Sequence, residues 1–227
     1  SGSRTMSGRP RPAEALLTWA RLRATLRRAG VRTIAGVDEA GRGALAGPVV
    51  AAAVLIPVDQ VLVVAADSKV LSRAARLSAL PAIEAAAAAI GVGVAEAEEI
   101  DALNILRATF RAMAAAVAAL SRLPDLVLVD GALVPPVPLP CRAIPHGDAL
   151  IPVIGAASIV AKVRRDEIMA ALDVAHPPYG FARHKGYGTA VHRAALAAFG
   201  VCPVHRRTFA GVREHLPGGQ PPLPLGR

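Results

Sequence analysis

IAGVDEAGRGALAGPVVAAAVL, residues 34–55, sets two apolar runs on either side of a glycine-rich turn. Residues 33–37 and 49–56 are small, β-branched or otherwise apolar and read as strands. Between them Asp38-Glu39 closes the first run. Residues 41–48 then carry Gly41, Gly43, Gly47 and Pro48, a loop whose backbone can come close to another molecule. In open α/β sheets, ligands sit at strand ends and in the loops beyond them.

Upstream, residues 13–29 read as a helix with Leu16, Trp19 and Leu26 near one face and Gly30 as its stop. Downstream, residues 72–89 form an Ala-rich helix with Ser72 as N-cap, followed by a strand at 92–95. Residues 99–120 are expected to form one helix, because Leu103, Leu106, Phe110, Met113, Val117 and Leu120 recur at spacings of three and four. Pro124 ends that pattern. A strand at 126–129 runs into Asp130, and a Pro-rich loop at 134–140 leads to a short strand at 141–144. Helices are expected at 152–173 and 189–199, separated by Pro177-Pro178 and a basic, glycine-containing loop at 179–188. No internal repeat is present. The order predicts a mixed α/β domain with helices covering a central sheet. Residues 1–32 are expected to hold a tag remnant, Ser1-Gly2-Ser3-Arg4-Thr5, and the N-terminal helix. The catalytic domain would span 33–209. Residues 210–227, rich in Pro and Gly, read as a flexible tail.

Carboxylates number only 17 in 227 residues, so their positions carry information. Asp38, Glu39 and Asp130 end strands, and Asp148 follows Gly147 ahead of the 152–173 helix. Carboxylates gathered at one sheet end repel one another unless a cation lies between them. An all-oxygen donor set suits Mg2+ or Mn2+, and two such ions can clamp the oxygens of a phosphodiester displacement. By spacing alone, the same four residues also fit unrelated surface caps. Cys202-Pro-Val-His205 is half of a zinc spacing without a second half and reads as incidental.

The opening stretch closely resembles the first motif of ribonuclease HII, the bacterial type 2 ribonuclease H. The resemblance continues in order through DSKVLS at 67–72, EEIDALNILRATFRAM at 98–113, VDG at 129–131, GDALIPVIGAASIVAKVRRD at 147–166, YGFARHKGYGT at 179–189 with His192, and HRRTF at 205–209. It implies an α/β ribonuclease H-like fold, a mixed five-stranded sheet flanked by helices. It also implies a divalent-metal endonuclease acting on RNA/DNA hybrids and on ribonucleotides embedded in duplex DNA. Cleavage on the 5′ side of the ribonucleotide would leave 3′-hydroxyl and 5′-phosphate ends. The family's metal-binding carboxylates fall on Asp38, Glu39, Asp130 and Asp148. Its ribonucleotide-contacting segment falls on Gly41, Arg42 and Gly43, and its ribonucleotide-sensing tyrosine on Tyr187. A tight turn needing positive φ is a second reading of the glycines.

The basic residues follow the same logic. The net charge of +9 suits a polyanionic partner. Only three of the 26 basic residues are lysines, Lys69, Lys162 and Lys185, and all three fall inside these motifs. A point-charge ammonium is not interchangeable with guanidinium. Ser158, Lys162 and Arg165 share one helix face, which the resemblance makes phosphate-contacting and which otherwise reads as a solvated face. Ser68, Lys69 and Lys185 are expected to add phosphate contacts. Asn104 could bond a nucleotide or a neighbouring loop. Asp67, Asp101 and Asp166 read as structural.

Composition narrows the classes. A chain that is 53% hydrophobic and 19% charged is not disordered. Its apolar runs are too interrupted to span a membrane, no signal peptide opens it, and two cysteines fit a reducing compartment. A cytoplasmic monomer is expected, with a sliding clamp left open as a partner. Two rival readings are a ribonuclease HIII-like hybrid nuclease and a non-catalytic nucleic-acid-binding module. The first is disfavoured because only 32 residues precede the first strand, the second because all four carboxylates are intact.

Overall fold

The computed structural model describes residues 12–62 and 71–218. Helix α1 (Pro12–Arg28) precedes strands β1 (Thr33–Ala40) and β2 (Val49–Pro57). Then come α2 (Arg73–Ala86), β3 (Ala89–Ala95), α3 (Ala97–Leu103), α4 (Ile105–Ala118), β4 (Leu126–Asp130) and β5 (Cys141–Ile144). The chain ends in α5 (Gly147–Leu150), the long α6 (Pro152–Ala175), α7 (Phe181–His184) and α8 (Ala190–Phe199). The sheet order is β3-β2-β1-β4-β5, antiparallel across β3-β2-β1 and parallel across β1-β4-β5. The expected mixed five-stranded sheet with flanking helices is therefore present. Among the described residues no helix is long and apolar enough to cross a membrane.

Side-chain alternation along a strand assigns each residue to a layer. Ile34, Val54, Ile56 and Leu128 face α6, packing on Val153, Ile154 and Ala157 with Leu26 of α1 and Ile83 of α2. Ala35, Val37, Leu55, Val127 and Val129 face α4, against Ala108, Ala112, Met113, Ala116 and Val117. With both faces covered, β1 and β2 can be unbroken apolar runs. Helix α6 comes very close at Gly36, where a Cβ would overlap the Val153 carbonyl.

Several expectations are corrected. Strand β1 extends to Ala40, so Asp38 and Glu39 lie within it and carry its alternation. The single helix expected at 99–120 is two, because Asn104 adopts φ 73° and caps α4. Its Oδ1 accepts the N–H groups of Leu106 at 3.1 Å and Arg107 at 3.2 Å, so the side chain caps α4. Leu106 of the apolar stripe is exposed, and the buried contact is made chiefly by alanines. Ser72 caps α2 as expected, accepting from Ala75 N at 3.2 Å. Leu16 is exposed, while Trp19 packs on the core and Leu26 is buried in it. The tail expected to be loose is docked at its start, since Val212 is fully buried against Leu45 and Leu196.

Gly36→Ala should cost about 1–3 kcal/mol of stability in urea unfolding, because neither the strand nor the helix backbone can yield. Gly43→Ala, whose Cβ would meet nothing within 4 Å, should cost far less.

Candidate active site

Alternation places Asp38, like Ile34 and Gly36, on the α6 face of β1, and Asp130, like Leu128, on the same face of β4. The two strands are parallel neighbours, paired up to Val37–Val129, so both carboxylates emerge at the same end. Short α5 delivers Asp148 beside them, and its N–H donates to Asp130 Oδ1 at 3.3 Å. Carboxylate oxygens of Asp38, Asp130 and Asp148 all lie within 4.8 Å of one another.

The surroundings are poor in compensation. Asp38 is buried, and its register partner on β2 is Ala52. Burial, then the charges of Glu39 and Asp130, raise its pKa well above the usual carboxylate range. A hydrogen bond from the Ser158 hydroxyl and the Glu39 N–H, 2.8 Å from Oδ1, act in the opposite sense. Asp38 Oδ2 is buried without a hydrogen-bond donor among the described residues. A buried, donor-poor, all-oxygen cluster fits a hard divalent cation such as Mg2+ or Mn2+. Asp38, Asp130 and Asp148 are the residues that would hold it.

Glu39, the fourth expected ligand, stands outside that trio. Its carboxylate lies beside the trio, in hydrogen-bonding reach of the Asp38 side chain, with Oε1 3.3 Å from Arg42 Nη1. Burial raises its pKa most, Arg42 opposes that, and the Asp130 charge adds to it.

Gly41 needs its missing side chain, since φ is +95° and a Cβ would overlap Arg165 Nε. Gly43 needs neither positive φ nor space within the protein, as nothing lies within 4 Å of where its Cβ would be. Arg165 corrects an expectation. It is fully buried and not on a phosphate-facing surface, and it donates to the carbonyls of Pro48 (2.9 Å), Lys185 (2.9 Å) and Ala46 (3.2 Å). Burial lowers its pKa. Ser158 is likewise buried, bonded to Asp38. Lys162 stays part-exposed, 3.5 Å from Asp166 and 5.7 Å from the centre of the Tyr187 ring. Lys185 Nζ lies 3.5 Å from the Asp166 carbonyl oxygen, and burial lowers its pKa. Tyr187 is 37% exposed and lies over both Lys162 and Arg165. Arg42, Lys162, Lys185 and Tyr187 each keep part of their surface accessible. Ser68, Lys69 and Asp67 lie outside the described residues. Asp101 is structural, accepting from Arg207 N, Thr208 N and Thr208 Oγ1. Asp166 pairs with Lys162 and lies 3.9 Å from Arg76.

Sequence reasoning missed two features. One is Arg206, fully buried and donating to three carbonyls of loop 41–47; burial lowers its pKa. Among so many arginines only its place in HRRTF could have marked it. The other is a histidine chain. His192 Nδ1 lies 3.0 Å from the Tyr187 carbonyl, so it must donate. A neutral His192 then accepts at Nε2 from His205 Nε2, 3.0 Å away. That leaves His205 Nδ1 to accept the Cys202 N–H at 3.0 Å. Cys202 and His205 are thus engaged in hydrogen bonding, in keeping with the reading that they are no zinc half-site.

The ribonuclease HII family model matches residues 35–212. A ribonuclease HII from Geobacter sulfurreducens is 56% identical over 191 residues, 83% of this chain and 87% of that protein. The crystal structure of ribonuclease H2 from Pyrococcus horikoshii superposes with a TM-score of 0.66 at 25% identity, covering 80% of this chain and 96% of that one. Bst-RNase HIII, solved in complex with Mn2+, gives a TM-score of 0.63 at 20% identity, covering 95% and 76%.

The histidine chain predicts a pH effect. Burial and the neighbouring His192 lower the His205 pKa from 6.5 to about 4. Between those values the unfolded chain binds a proton that the folded one refuses, so stability falls as pH falls. At pH 5.5 the loss from His205 should be about 1 kcal/mol relative to pH 7 in urea unfolding. His205→Gln should lack that component.

Proposed function

Because the chain belongs to the ribonuclease HII family, we propose that it is a type 2 ribonuclease H that cuts the RNA strand of RNA/DNA hybrids and nicks duplex DNA 5′ of an embedded ribonucleotide. It leaves 3′-hydroxyl and 5′-phosphate ends and serves ribonucleotide and primer removal. The observation that carries the reading is the convergence of the carboxylate oxygens of Asp38, Asp130 and Asp148 within 4.8 Å at one end of the sheet. Divalent cations bound there supply an activated water and stabilise the departing 3′-oxygen. Glu39 lies beside that pocket, close enough for the Asp130 charge to raise its pKa, and joins the ligand set when substrate is bound.

The chain's own residues then dock and discriminate. Lys162 and Lys185 meet the phosphates, with Lys69 beyond the described residues and Arg42 at the loop tip. The open space over Gly43 lets a ribose come within reach of the backbone, where a side chain would stand in its way. The exposed Tyr187 ring, with two cations beneath it, packs on the following deoxyribose, where a 2′-hydroxyl would crowd it. Carboxylates, loop and basic residues all come from one chain, which fits activity as a monomer, and two free cysteines fit the reducing cytoplasm.

The direct test is cleavage of a duplex carrying one ribonucleotide in Mg2+. A single cut 5′ of the ribonucleotide is expected, and an uncut duplex contradicts the proposal. Asp130→Asn should lose cleavage by at least about 1000-fold while binding survives, since a transition-state interaction is removed. Tyr187→Ala should lower kcat/KM on the single-ribonucleotide duplex by about tenfold more than on a uniform hybrid, the size of one lost stacking contact. An equal fall on both substrates would place Tyr187 in folding or general catalysis. Lys162→Ala should make the salt dependence of binding shallower by about one unit of log affinity per log salt.

A further inference from the structure

Arg206 spends all three guanidinium nitrogens on main-chain carbonyls of one loop. Nε donates to Gly47 at 3.0 Å, Nη1 to Arg42 at 2.8 Å and Nη2 to Gly41 at 2.7 Å. The side chain is fully buried, and none of these partners is a carboxylate. A buried cation held only by neutral acceptors is an expensive way to fill space, and methionine or leucine would fill it more cheaply. What the planar fork supplies is geometry, because it fixes several acceptors at once.

That geometry has a consequence on the far side of each peptide. In a trans peptide the N–H of the following residue points opposite to the carbonyl. With the Gly41 and Arg42 carbonyls drawn inward to Arg206, the N–H groups of Arg42 and Gly43 are turned away from it. The third peptide adds no donor, because Pro48 follows Gly47. Three other amides of the loop have partners: Ala44 donates to Gly41 O at 3.3 Å, Leu45 to Gly186 O at 2.8 Å and Gly47 to Val204 O at 2.8 Å. Among the described residues no main-chain acceptor takes the Arg42 or Gly43 N–H. Two successive outward amides form a small concavity that attracts an acceptor oxygen. The space over Gly43 is open to receive one.

The brace is itself rigid. Arg206 N donates to Leu45 O at 2.9 Å, and His205 bridges to Ala46 across an isolated β-pair. Phe209 lies 5.1 Å from the guanidinium, and Asp101 holds Arg207 and Thr208.

We propose that Arg206 is a positioning residue for ribose recognition: it holds two carbonyls inward so that the Arg42 and Gly43 N–H groups stand ready as donors to the 2′-hydroxyl oxygen of the ribonucleotide. The proposal rests on the reading of residues 41–43 as the ribonucleotide-contacting segment. Lysine at 206 keeps the charge but lacks the planar fork, so it separates positioning from electrostatics.

The test compares wild type and Arg206→Lys for binding to a duplex with one ribonucleotide and to the all-DNA duplex, with Ca2+ replacing Mg2+ to withhold cleavage. Wild type should prefer the ribonucleotide duplex. Arg206→Lys should lose about tenfold of that preference, the worth of hydrogen bonds left unmade, with all-DNA affinity unchanged within about twofold. Undiminished preference, or an equal fall on both duplexes, overturns the proposal. A wild type without preference instead overturns the reading of residues 41–43. If Arg206→Lys does not fold, amide hydrogen exchange on the wild type decides. The Arg42 and Gly43 amides should exchange freely in the unbound protein and be slowed by the ribonucleotide duplex more than by DNA. Protection without ligand, or equal slowing by both, overturns it.

Discussion

Mutual repulsion among three carboxylates, held within 4.8 Å in a buried pocket, is the constraint around which the rest of this molecule is arranged. Left alone, such a cluster takes up protons or moves apart; burial first, and then the charges of Glu39 and Asp130, raise the pKa of Asp38. The fold resists it with three pieces of geometry. Parallel pairing of β1 and β4 brings Asp38 and Asp130 out side by side. The absent side chain at Gly36 lets α6 lie on the strand. From Ile154 to Ser158 the helix then advances about 6 Å, nearly matching the roughly 6.7 Å from Gly36 to Asp38, and the Ser158 hydroxyl reaches the carboxylate. The turn between β5 and α6 supplies Asp148.

A second unusual choice answers the first. Arg165 and Arg206 are buried, yet they bond carbonyls and no carboxylate. Had they paired with the carboxylates, they would have occupied the oxygens a cation needs. Bonded to carbonyls, they tie loop 41–48 to Lys185 and to the segment after α8. Loop 41–48 is thus held by buried hydrogen bonds as well as by its own turn. The histidine chain from Cys202 to the Tyr187 carbonyl extends the same bracing to the other side of the groove.

Much of this was legible in the sequence. Strands 1, 2, 4 and 5, the Ser72 cap and the family-bearing motifs follow from local pattern and long ordered resemblance. The break at Asn104 was hidden because the leucine stripe keeps helical spacing across it. A single residue at positive φ, held by its own side-chain cap, leaves no mark in apolar periodicity. The inward turn of Arg165 was hidden for another reason. Helical spacing gives the face, but only the position of the Pro48 and Ala46 carbonyls, over a hundred residues earlier, shows that the face is covered. The docking of Val212 depends on a small pocket made by Leu45 and Leu196, which no composition count of a Pro- and Gly-rich tail could reveal. Glu39 entered the ligand set through the resemblance; its ion pair with Arg42 depends on the turn after β1 and leaves no mark in local pattern.

The central claim is that the carboxylate cluster exists to take up a divalent cation, and that the raised pKa of Asp38 makes cation binding displace a proton. Calorimetric titration of Mn2+ at mildly acid pH, repeated in two buffers of unlike ionisation enthalpy, tests this most directly. The account predicts binding coupled to net proton release, with both sharply weakened in Asp130→Asn. Heats independent of the buffer, or Mn2+ binding untouched by Asp130→Asn, would contradict it.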